Sequence, residues 1–168
     1  MKNIKAFIIL SIVTTIFAFW LNEYFFITSL NMVKTEGVII SANSATGQFG
    51  LLHNPSFFFS VGLIPILVFI LMKIAKSNSI KHSIVVTGIL ILSGLILWQI
   101  RVQLLISHFE KLSNINNLVS EEIFSEYNIE NLRFGNFLAL GILIGIFVSM
   151  IYLKVMNGKR MVTSSKNP

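Results

Sequence analysis

The chain has 168 residues, of which 54% are hydrophobic and only 12% charged, and its mean hydropathy is +0.79. Soluble domains carry about 25% charged residues, so this chain has too little charge to coat a surface facing water, and lipid must solvate much of it. A soluble enzyme, a nucleic-acid-binding domain and a disordered chain are excluded on that ground, despite a net charge of +6 and a pI of about 9.8. Cysteine and aspartate are absent, which removes disulfides and thiolate sites for metals, haem or iron–sulfur clusters. Ten lysines against three arginines, with abundant Asn and Ile, read as the codon bias of an AT-rich, bacterial genome.

A hydrocarbon core of ~30 Å needs ~20 mostly apolar residues in a helix. Four segments meet this in chain order, over about 6–27, 57–75, 84–106 and 134–155. The first begins with Lys2 and Lys5, as a signal peptide would. It ends on Trp20-Leu21-Asn22-Glu23-Tyr24 with no small-x-small cleavage site, so an uncleaved anchor is expected. Ser11, Thr15, Ala18 and Asn22 recur at spacings of 4, 3 and 4 on this helix. Such a stripe reads first as helix-packing glue and second as the lining of a polar path.

The segment between the first two spans contains a β-branched run, Val33 to Ser41, then the turn-forming Asn43-Ser44-Ala45-Thr46-Gly47 and a short apolar run from Gln48 to Leu52. This pattern predicts a β-hairpin with Ile40 opposite Phe49 and Glu36 opposite His53; a coil lying over the bundle is the alternative. Pro65 interrupts the second span, where it removes a helix hydrogen bond.

On the third span Leu95, Trp98, Val102, Leu105, Phe109 and Leu112 recur at spacings of 3 and 4. That seam continues past the membrane-length segment, so the helix is expected to project beyond the bilayer. Arg101 lies 18 residues after Ser83, ~27 Å along a helix, at the membrane boundary, where its side chain can reach headgroups. Asn114–Asn117 reads as a turn and Ser120 as the cap of a short helix bearing Ile123, Phe124 and Tyr127. A helical hairpin follows, with Phe109 against Phe124 or Tyr127. The fourth span holds Gly141 and Gly145 as GxxxG, extended by Ser149. Missing side chains at that spacing let another backbone approach closely, either from a helix of the same chain or from a second copy. Residues 156–168 are expected to form a disordered basic tail.

With four spans, the side holding both termini and the Lys73–His82 loop carries nine basic residues and no acid. The other side carries all seven glutamates with four basic residues. The positive-inside rule then places both termini in the cytoplasm of a multi-pass cell-membrane protein, in bacteria the inner membrane. The fold class expected is an all-α four-helix transmembrane bundle with small hairpins on the outer side.

No catalytic or metal-binding motif is present. Glu36, His53, Arg101 and His108 form an outer polar set; the two His and two Glu on that side, His53, His108, Glu36 and Glu110, have spacings that match no zinc site, and no cofactor is implied. No motif carries a family resemblance. The reading is of a non-enzymatic subunit, its partners being the lipid bilayer and either another protein or a second copy, met through the acidic outer face or the Gly141/Gly145 seam. A small transporter or channel subunit is the alternative, and a membrane enzyme using outer Glu and His side chains is the third reading.

Overall fold

The computed structural model describes residues 4–35, 38–41, 55–118 and 125–164. Four helices are long and apolar enough to cross a membrane: α1 (Ile4–Val33), α2 (Pro55–Ile74), α3 (Ile80–Leu118) and α4 (Phe134–Ser164). Two short strands, β1 (Val38–Ser41) and β2 (Ser125–Asn128), and a 3-10 turn over Ile129–Asn131 complete the described chain.

Helix lengths set the architecture. At ~1.5 Å per residue, α2 with 20 residues spans ~30 Å, the thickness of a hydrocarbon core. With 39 residues, α3 runs to ~58 Å. The close contact of Thr15 with Gly62 levels α1 with α2 at the end bearing the termini, called here the basic end. At that same end Asn157 Nδ2 donates to the Ala75 carbonyl at 2.7 Å, tying α4 to α2. The excess length of α1 and α3 therefore projects at the opposite, acidic end.

The α2–α3 turn is tight because helix α2 ends in a Schellman motif. Ser77 N–H bonds the Met72 carbonyl and Lys76 N–H the Lys73 carbonyl, both at 3.1 Å, with Lys76 left-handed at φ 48°. Lys73 sits in the last turn of α2, where a cation complements the helix dipole. Ser77 and His82 are both buried, and Ser77 Oγ lies 3.0 Å from His82 Nδ1, which clips the turn shut.

Two apolar cores form. The membrane-level core gathers Ala18 of α1, Phe58, Val68 and Leu71 of α2, Val86 and Leu90 of α3, and Leu138, Ile142 and Leu153 of α4. The outer core gathers Val33, Val102, Leu105, Phe109, Ile129, Leu132 and Phe134. Phe25 and Trp98 pack against both. Phe25 also stacks on Phe57 at 4.2 Å between ring centroids, and Trp98 donates its indole N–H to Ser29 Oγ at 3.0 Å. Away from the cores, Phe17, Trp20 and Tyr24 of α1 are strongly exposed. Trp20 and Tyr24 fit the aromatic belt of a membrane–water boundary.

The outer module departs from the sequence expectation in three places. Val38–Ser41 is a strand, but it pairs in parallel with Ser125–Asn128, with Ile40 opposite Tyr127. Residues 42–54, with the expected turn and the partner Phe49, lie outside the described residues. An isolated hairpin is marginal in water, whereas laying β1 on the α3 seam half-buries Val38 and Ile40 against the outer core. Val33 belongs to α1, fully buried against that core. The second departure is that α3 runs through Asn114–Asn117 to Leu118. Three asparagines make a weak turn signal, and packing of Phe109 and Leu112 on the outer core holds the helix beyond them. In the third, Tyr127 stands on β2 rather than on a short helix; Ser120, Ile123 and Phe124 of the expected helix lie outside the described residues. The contact expected for Phe109 is present all the same, edge to face with Tyr127 at 5.0 Å. At the other end α4 continues to Ser164, through part of the expected tail. The chain from 156 to 164 has no proline to end the helix.

Phe109 is fully buried under the outer module. Phe109→Asp should cost at least the ~3–5 kcal/mol of truncating a core phenylalanine. Amide exchange over residues 102–109, 38–41 and 127–132 should then quicken by ~100-fold or more, with membrane insertion unchanged. Unaltered exchange there would mean that Phe109 holds nothing together.

Candidate functional site

Helix contacts inside a membrane gain little from hydrophobicity, because lipid is as apolar as leucine, so close approach and polar bonds decide them. Both occur here. A Cβ added at Gly141 would fall on the Ser93 carbonyl and 2.6 Å from Gly94 Cα. One added at Gly145 would fall on Ser93 Oγ and 3.1 Å from Leu90 Cα. The GxxxG face is thus occupied by α3 of the same chain. Gly94 completes the contact, meeting the Leu138 carbonyl and the Ile142 side chain, and Ser149 is fully buried on the same helix.

The stripe on α1 meets α2. Thr15 lies so close to Gly62 that no side chain fits there. Thr14 Oγ1 lies within hydrogen-bonding distance of the Leu10, Ser11 and Gly62 carbonyls, at 2.9, 3.0 and 3.1 Å. Its single proton serves one of them at a time. Thr15 donates back to the Ser11 carbonyl at 2.7 Å. Ser11, Ala18 and Asn22 are buried. The stripe also extends two turns further than the four residues read from sequence. Ser29, seven residues beyond Asn22, is fully buried, donates to the Phe25 carbonyl at 2.7 Å and accepts from Trp98. Its spacing was the signal for it.

The outer polar set is not brought together as a unit. Glu36 and His53 lie outside the described residues. Arg101 does not simply reach for headgroups. Its Nε donates to the Leu132 carbonyl at 2.9 Å and its Nη2 to the Asn131 carbonyl at 2.6 Å. The guanidinium lies 5.0 Å from the centre of the Phe137 ring, a cation–π distance. Sequence spacing gives no hint of this clamp, because the partners are backbone atoms 30 and 31 residues away. The carbonyls belong to the bend that leads through Arg133, left-handed at φ 51°, into α4. His108 is exposed, its ring 6.0 Å from that of Tyr127. Among the described residues no group of three His, Cys, Asp or Glu side chains could hold a metal ion.

This arrangement can pack, clamp and present a surface; the hydroxyl–imidazole pair it contains, Ser77 with His82, is buried in the α2–α3 turn. Gly145→Leu should lower stability in detergent by ~1–3 kcal/mol through overpacking. Gly88→Leu should be near neutral, since nothing lies within 4 Å of a Cβ there. Equal melting of the two variants would remove the seam. Arg101→Gln should destabilise the α3–α4 junction by ~1.5–3 kcal/mol, the range for charged hydrogen bonds. Arg101→Lys should recover part of that loss, because an ammonium cannot match the planar fork. The measurement is thermal unfolding of each variant, and a melting point unchanged in Arg101→Gln would show that the clamp is ornamental.

Comparison with protein-family models, with curated proteins and with solved structures finds no match for this chain.

Proposed function

We propose that this protein is a non-enzymatic membrane subunit whose outer module docks a protein partner. The observation that carries the reading is the module itself. The α3 overhang is built into a unit with its own core, covered by a two-stranded parallel sheet. A partner strand can add to such a sheet. Ile39 points away from the core on β1 and is 48% exposed. The glycine seam, by contrast, is taken up within the chain, which favours docking through the outer face. The acidic side of the chain supplies a field that attracts a basic partner.

In this reading both termini are cytoplasmic and the membrane is a bacterial inner membrane. The support is the segregation of nine basic residues from all seven glutamates. Reporter fusions after Ser77 and at the C-terminus should read cytoplasmic, and a fusion after Ser113 external.

A second reading, a small transporter or channel subunit, is favoured by one observation. The hydroxyls of Ser11 and Ser149 are buried without a hydrogen-bond partner among the described residues, polar groups that a solvated path would satisfy once the helices part. Flux from liposomes separates the two readings. Photocrosslinkers placed at Ile39 or at Glu110 in native membranes should capture a discrete protein, and Ile39→Lys should cut the capture from position 110 several-fold. Absence of a product from either position, together with flux that Ser11→Val abolishes, would favour the transporter.

A further inference from the structure

At the basic end, α2 and α4 part to leave a groove of about 590 Å³, within the size range of small-molecule sites. Its walls are apolar, from Leu71 on α2 and Met150 and Leu153 on α4. Its mouth is cationic, with Lys76 on one side and Lys154 on the other, both exposed. We infer that this groove binds one anionic phospholipid, the phosphate between Lys76 and Lys154 and the upper acyl chain along Leu71, Met150 and Leu153.

Three observations carry this. Charge and apolar surface stand in the order a phospholipid presents them, with Lys76 just past the end of α2 and Lys154 facing the same groove from α4, and with Leu71 and Met150 one turn or more nearer the membrane centre. A soluble anion would satisfy the lysines but not the wall, and a neutral lipid would satisfy the wall but not the lysines. Second, the carbonyl that would oppose a phosphate is already taken. Ala75, just past the end of α2, has its carbonyl bonded by Asn157 Nδ2 at 2.7 Å, which removes a bare acceptor from the groove. Third, Lys76 occupies the left-handed position of the Schellman motif, which is usually glycine. A lysine held there has a fixed backbone, and it lines the groove. Basic pockets between membrane helices are a general means of holding anionic headgroups.

The test is native mass spectrometry of the full chain released from detergent, with phosphatidylglycerol or phosphatidylcholine of identical acyl chains. Wild type should retain phosphatidylglycerol about tenfold better than phosphatidylcholine. The pair Lys76→Gln with Lys154→Gln should lower retention to the phosphatidylcholine level. The pair Lys73→Gln with Lys81→Gln, exposed lysines at the same end but outside the groove, should keep the preference. Met150→Trp, which fills the groove from a half-exposed position, should weaken both lipids. Circular dichroism should show the same helicity in all variants. Equal retention of both lipids by wild type would overturn the inference, as would an equal loss in the two lysine pairs. Displacement of the lipid by excess inorganic phosphate would reassign the site to a free anion and overturn it as well.

Discussion

The structure depends on a mismatch of length. One helix, α2, matches the hydrocarbon core, and its neighbour α3 is nearly twice as long. Because the turn between them is only a few residues and is locked by the Schellman bonds and the Ser77–His82 pair, all of the excess must leave at the far end. There it enters water, where a seam of Val102, Leu105 and Phe109 cannot remain uncovered. The remainder of the acidic end solves that problem. The end of α1 supplies Val33, the chain before α4 supplies Ile129 and Leu132, and two strands close the cover. Both strands come from long connections, so their parallel pairing joins segments almost ninety positions apart.

Inside the bilayer a different force applies. Leucine and lipid are equivalent there, and the four helices are held by places where side chains are missing or polar. Gly141 and Gly145 seat on Ser93 and Gly94, and Gly62 seats on Thr15. Trp98 to Ser29, Arg101 to two carbonyls and Asn157 to Ala75 supply the bonds. The two regimes meet at Trp98 and Phe25, which touch both cores.

The spans, the close-packing glycines and the overhanging seam were legible in the sequence, because each is a periodic pattern of local origin. Span length is counted directly, and GxxxG and the 3–4 spacing of the α3 seam each lie on one helix. Phe109 meeting Tyr127 was anticipated from the need to cover that seam. What covers it was not legible as structure. Strand pairing depends on which distant segment the bundle brings alongside, and neither Val38–Ser41 nor Ser125–Asn128 names its partner. The Arg101 clamp was hidden for the same reason, since its acceptors are backbone carbonyls with no residue signature. Asn114–Asn117 misled because turn propensity is weak beside a packed apolar face. Of the outer polar set, spacing alone could not say that Arg101 would be drawn into the α3–α4 junction while His108 stayed exposed.

The unbroken course of α3 has a mechanical meaning. It is a single rod from the basic turn to the outer module, with no proline along its length, and it rests on α4 around Leu90 to Gly94. Below that bearing are about ten to fourteen residues, and above it about twice as many, or ~36–42 Å of helix. Held at its base by the Ser77–His82 pair, at Gly94 by close approach of α4 and at Arg101 by two backbone carbonyls, α3 is a fixed post. The height at which the outer module stands above the basic turn is therefore set by the length of one helix.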